Sequence, residues 1–174
     1  MLHVYLAHGA SGDAASMAPW VDGLVARGFA ATAVQLPKRK AEDAVEAYAG
    51  QVAPGERVVV GGHSYGGRVA SLLVASDPGR FAGLVCLSYP VHPPGRVEQA
   101  AARTAHWPRI AVPALLLSGT GDPFARLELL EAAMPSLPDG RLVTYPRLGH
   151  SLKPVLPDAL DRIAAFLREI DPPA

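Results

Sequence analysis

The sequence predicts an α/β fold, a three-layer α/β/α sandwich around a mostly parallel six-stranded sheet. Three observations lead there. Short β-branched or aliphatic runs alternate with longer helical patterns along the whole chain. No internal repeat, low-complexity tract or linker divides it. The 174 residues leave one domain room for a proper core and too little for a second domain or a large cap, so a single domain over residues 1–174 is expected. Strand-then-helix alternation requires crossover connections, hence parallel strands covered on both faces.

Taken in order, the strands are expected at 2–7 (LHVYLA), 29–35 (FAATAVQ), 57–61 (RVVVG), 83–88 (GLVCLS), 114–118 (ALLLS) and 141–145 (RLVTY). Helices are expected at 16–27, 41–52, 65–76, 97–105, 124–134 and 154–170, with Asp77 in SDPGR reading as a helix stop and Asp139 in PDG as a turn. In such a sheet every βα connection leaves on one edge, and reactive side chains gather there. The six strands deliver HGASGD, LPKRK, GGHSYGG, SYPVHPPG, SGTGDPF and YPRLGHS to that edge. Three of these carry the groups of a nucleophilic triad.

Composition narrows the class of function. Hydrophobic residues make up 49% and charged residues 18%, and Lys+Arg and Asp+Glu balance at 16 each, as in an ordinary soluble globule. Nothing points to nucleic acid or an anionic membrane surface. The single cysteine, Cys86, excludes an internal disulfide and sits in the apolar run LVCLS as a core residue. No segment reaches the ~18 apolar residues of a transmembrane helix and MLHVYLAHGA lacks a secretory pattern, so a cytoplasmic location is expected. No residues have metal-ligand spacing, and no motif asks for a cofactor.

Gly62-His63-Ser64-Tyr65-Gly66 matches G-x-S-x-G in the context that gives it meaning, a strand before and an apolar-periodic helix after. A strained turn there lifts the Ser64 hydroxyl outward, and glycines two residues either side remove side chains that would collide with neighbours. A glycine-rich turn that packs tightly or holds phosphate is the bland alternative, but neither G-x-x-x-x-G-K-[ST] nor G-x-G-x-x-G is present. A serine hydroxyl needs a base and a third group to orient that base, in the chain order Ser, Asp or Glu, His. Asp122 in GTGDP and His150 in LGHS stand where that order puts them. Asp122 before Pro123 also reads as a helix N-cap, and His150 as a loop histidine. The three falling in order at successive strand ends is what a structural origin does not explain. The oxyanion hole calls for the N–H of Tyr65 and one from the first loop, Ala10 by position, with Gly9 as its neighbour. His63 is expected to support the turn. A neutral histidine base implies activity that declines below about pH 6.5.

These residues resemble the α/β-hydrolase superfamily across essentially the whole chain: HGA, GHSYG, SDPGRFAGLVCLS, GTGDP and GH. YPVHPPG, GTGDPF and GHSLKP are similar to a small hydrolase-like group that contains many bacterial predicted hydrolases and a subunit of an animal histone-acetyltransferase (NSL) complex. Dienelactone hydrolases are more distantly similar, with cysteine where this chain has Ser64. The resemblance implies the sheet order 2-1-3-4-5-6, a minimal fold without the superfamily's first two antiparallel strands, and an open site without a cap.

The expected function is a serine hydrolase acting on a small carboxylic ester, thioester or lactone through an acyl-enzyme. The pocket wall is expected from Gly9, Tyr65, Tyr89, Pro90, Val91, His92 and Phe124, whose apolar mix suits a small-molecule ester-like substrate. Lys38, Arg39 and Lys40 could attract an anion, though a solvated loop explains them equally. A non-catalytic binding module on the same fold and an acyltransferase with an acceptor other than water stay open at this point.

Overall fold

In a computed structural model, which describes residues 2–54 and 57–172, six strands form one sheet in the order β2-β1-β3-β4-β5-β6. They are β1 (Leu2–Ala7), β2 (Ala30–Val34), β3 (Arg57–His63), β4 (Gly83–Leu87), β5 (Ala114–Gly119) and β6 (Gly140–Tyr145). Every neighbouring pair is parallel. The central strands β3, β4 and β5 are almost wholly buried, whereas the edge strands β2 and β6 are half-open. Both expectations, parallel order and layered cover, therefore hold, and among the described residues no cap stands over the sheet.

Side chains alternate across the sheet with the two-residue period of a strand and feed two cores. Tyr5, Val58, Val60, Leu84, Cys86 and Leu116 enter the core beneath α2 (Val45–Ala49), α3 (Tyr65–Ser76), α4 (Ala100–Thr104) and α5 (Leu127–Ala133). Val4, Leu6, Val59, Val85, Leu115 and Leu117 enter the other, beneath α1 (Ala18–Val25) and α6 (Leu156–Ile170). On α6 the buried Leu160, Ile163 and Leu167 recur at helical spacing, and burying each contributes about 2 kcal/mol relative to leaving it exposed. Among the described residues no helix is long and apolar enough to cross a membrane.

Element boundaries differ from the sequence reading in instructive ways. The helix expected at 124–134 begins at Leu127 because the Phe124 N–H bonds to Asp122 Oδ1 and the Arg126 N–H bonds to His92 Nε2, so neither enters a helical ladder. The helices expected at 16–27, 41–52, 97–105 and 154–170 each open on a 3₁₀ turn before the α-helical part. Proline in the first turn of α1 and α6 lacks an N–H that the turn does not need. β3 runs two residues further than expected, to the edge of the turn that holds Ser64.

One buried histidine makes the fold acid-sensitive. His106 Nε2–H donates to Ser71 Oγ at 2.8 Å, the Ser71 hydroxyl itself donating to Arg68 O, and burial, reinforced by the charges of Arg68 and Arg109, pushes the His106 pKa down to about 4. The unfolded chain takes up this proton near pH 6.5 and the folded chain does not. Stability is therefore fully present above about pH 6.5 and declines as pH falls towards 4. Urea midpoints of wild type and His106→Gln at pH 7 and 4.5 check this: the variant should lose less between the two pH values. An equal loss would remove His106 from the account.

Candidate active site

Ser64 stands alone between the end of β3 and the start of α3, with φ 50° and ψ −113°. A non-glycine residue held there costs roughly 1–3 kcal/mol, so the surroundings must over-determine it. They do so through the Ser64 N–H, which donates to Leu87 O at 2.8 Å, and the Ser64 carbonyl, which accepts from Arg68 N at 3.0 Å. Close approach of backbones explains the flanking glycines. A Cβ at Gly62 would lie 2.3 Å from Ala7 O, and one at Gly66 would lie 2.4 Å from the same oxygen and 2.7 Å from His8 O.

Gly66→Ala reverses the usual sign for a helix, where alanine is favoured over glycine by about 1 kcal/mol. The obstructing atoms are backbone at the carboxyl end of β1, held by the sheet, and cannot step aside. A loss of roughly 1–3 kcal/mol is expected, read as a lower denaturant midpoint with an unchanged slope. A neutral or stabilised variant would mean that the turn is looser than its contacts imply.

The Ser64 hydroxyl lies 2.8 Å from His150 Nε2. On the other side of the ring, His150 Nδ1 lies 2.9 and 2.8 Å from the two Asp122 carboxylate oxygens. The Asp122 side chain is fully buried and that of His150 is 24% exposed. Two loops bring them together. The Thr120 N–H donates to Tyr145 O, Gly121 N–H to Leu148 O and Arg147 N–H to Thr120 Oγ1, which laces the turn after β5 to the turn after β6. Asp122 does not cap α5, which begins at Leu127, but its Oδ1 also accepts from the Phe124 N–H, so its orientation is set from its own turn.

Supporting residues complete the geometry. His63 Nε2–H donates to His150 O at 3.1 Å, and burial holds the His63 pKa below its ordinary value, so an uncharged ring sits beside His150. The Phe124 ring lies 4.3 Å from the His150 ring. The Leu36 N–H donates to His8 Nε2, which leaves the ring proton on Nδ1, 2.7 Å from Gly9 O. That bond turns the Gly9 carbonyl towards His8 and fixes the start of the loop that carries Ala10. Tyr65, first in α3, has an N–H with no intrahelical acceptor.

Two hollows, of about 550 and 600 Å³, meet at Ala10, Ser64 and Phe124. Gly9 borders the first and Pro90 and Tyr65 the second. Three expected wall residues stand elsewhere. Tyr89 is 1% exposed, its hydroxyl donating to Arg103 O and its ring edge-on to Trp107. His92 is buried, with its ring between Pro93 O and the Arg126 N–H. The chain leaving β4 turns inward there, and Val91 follows them into the core. Met17, Trp20 and Leu152 of the first hollow, and Arg68 and Arg103 of the second, were not singled out from sequence as site residues. Met17, Trp20 and Arg103 come from elements that reach the site only through packing, whereas Arg68 lies in the first turn of the helix after Ser64 and Leu152 two residues after His150. Among the described residues no cluster of His, Cys, Asp and Glu is placed to hold a metal ion.

The fold agrees with the comparisons to known proteins. A family model for the alpha/beta hydrolase domain matches residues 30–162. Acyl-protein thioesterase 1 of Mycosarcoma maydis is 31% identical over 131 residues, covering 71% of this chain and 52% of that protein. The chain thus spans about half the length of the curated relative it matches. A Paleococcus ferrophilus monoacylglycerol lipase superposes with a TM-score of 0.85 at 16% identity, covering 97% of this chain and 95% of the lipase. Est1E of Butyrivibrio proteoclasticus superposes with a TM-score of 0.79 at 17% identity, covering 97% and 87%.

Proposed function

The chain belongs to the alpha/beta hydrolase family, and on that premise we propose that it is a serine hydrolase that cleaves a small carboxylic ester or thioester through Ser64, His150 and Asp122. The observation that carries this reading is the unbroken run of contacts from Ser64 Oγ through the His150 ring to the buried Asp122 carboxylate. His150 Nε2 takes the hydroxyl proton as Ser64 Oγ attacks the acyl carbon, while Asp122 holds the proton on Nδ1 and stabilises the charged ring. The N–H groups of Tyr65 and Ala10 receive the oxyanion. His150 then returns its proton to the departing alcohol or thiol, and a water activated by the same imidazole releases the acid and regenerates Ser64. A relative named as an acyl-protein thioesterase and a fold neighbour named as a monoacylglycerol lipase are consistent with acyl chemistry of this class.

Intact-mass analysis after exposure to a fluorophosphonate tests the proposal. One adduct is expected on the wild type and none on Ser64→Ala or His150→Ala. A folded wild type that takes no adduct would falsify it and favour a binding module on the same fold.

A further inference from the structure

The two hollows beside Ser64 differ in chemistry. The first is walled mainly by Met17, Trp20, Phe124 and Leu152, with Lys153 the single Lys or Arg on its lining. The second gathers four cationic side chains, Arg39 and Lys40 from the loop after β2, Arg68 from α3 and Arg103 from α4, against one carboxylate, Glu42. The chain as a whole is neutral, so this is a local concentration of positive charge. Glu42 is already paired with Arg68.

Arg68 and Arg103 are not freely solvated. The Arg68 side chain is 16% exposed, and its Nε is buried without a partner among the described residues. Arg103 is half-buried, and among the described residues its side chain hydrogen-bonds only the Pro90 carbonyl, at 3.3 Å. Burial, followed by the like charge of Arg68, lowers the Arg103 pKa from its ordinary value. Packing cations together at the edge of a core costs energy through desolvation and mutual repulsion. An anion in the hollow would offset both.

Resting on the hydrolase reading above, we propose that the second hollow selects substrates bearing a small oxyanion, a carboxylate or a phosphate, held by Arg68 and Arg103 while the apolar part of the substrate occupies the first hollow. Planar guanidinium groups suit either oxyanion, because both accept paired N–H donors. Arg39 and Lys40, more exposed, guide the anion inward and hold it less tightly.

Paired esters test this, identical except that a terminal methyl is replaced by carboxylate in one arm and by phosphate in the other, with the change made on the acyl side and separately on the alcohol side. For the wild type, kcat/KM of the charged member should exceed that of the neutral member about tenfold in at least one series. The favoured arm identifies which oxyanion is used. That ratio should collapse in Arg103→Gln and in Arg68→Gln, and should persist in Arg162→Gln, a surface arginine of α6. A ratio of one or below in every series, or one unmoved by either substitution, overturns the proposal. Failure of the hydrolase reading looks different: no ester is turned over and no fluorophosphonate adduct forms. Calorimetric titration of Ser64→Ala with hexyl phosphate and with adipate reads the anion site without turnover. Binding that disappears in Ser64→Ala/Arg103→Gln supports the site, and no binding of either anion overturns it.

Discussion

Turnover of a simple ester by Ser64→Ala is expected to fall by roughly 10⁶. The attacking atom is removed outright, and neither Ser88, whose hydroxyl is buried, nor Cys86, inside the sheet with its thiol pushed to a high pKa by burial, can take its place. The small rate that remains would come from the oxyanion donors and from substrate binding. Alanine meets the same φ of 50° as serine, so the fold should be kept and the thermal midpoint nearly unchanged. Initial rates, set beside a melting curve, separate the two effects. A residual rate within tenfold of wild type would sink Ser64 as nucleophile.

Asp122→Asn is expected to lower kcat by about 10⁴ with little change in the backbone. An asparagine oxygen can still accept from the Phe124 N–H, so the turn after β5 keeps its local bond. The loss falls on the imidazole. An amide NH₂ facing His150 Nδ1 favours the tautomer with its proton on Nε2, the nitrogen that must take the Ser64 proton. Burial of the Asp122 side chain keeps water from substituting for the lost acceptor. Ester turnover and the rate of fluorophosphonate labelling should fall together. A drop of less than tenfold would mean that His150 is oriented by its other contacts, the His63 ring and the Phe124 ring.

Sequence legibility varied with the range of the interaction behind each feature. The Ser64 turn was legible because its causes are local: a valine run, glycines whose absent side chains spare Ala7 O and His8 O, and a helix that starts at once. The N-cap alternative for Asp122 was half informative. The residue does bond within its own turn, but the helix it would cap begins five positions later because His92 takes the Arg126 N–H. That partnership joins residues 34 apart and leaves no local trace. Tyr89 and His92 looked like pocket residues because they follow a strand at the reactive edge. Only packing decides that the chain there dips into the core, where Tyr89 meets Trp107.

What the sequence determined by itself was the alternation of strands and helices, the two-faced burial of the central strands and the order of Ser64, Asp122 and His150 along the chain. Those are properties of periodicity and of short turns, which a residue's near neighbours decide. Tertiary structure decided which loops are laced together, the 2.8 Å approach of Ser64 to His150, and the division of the surroundings into one apolar and one cationic hollow. Met17, Trp20 and Arg103 have ordinary helical neighbours in sequence, and each acquires its place only where separate elements pack against the same edge of the sheet. The physical reason is that a pocket is the space between elements, and no single element encodes its shape.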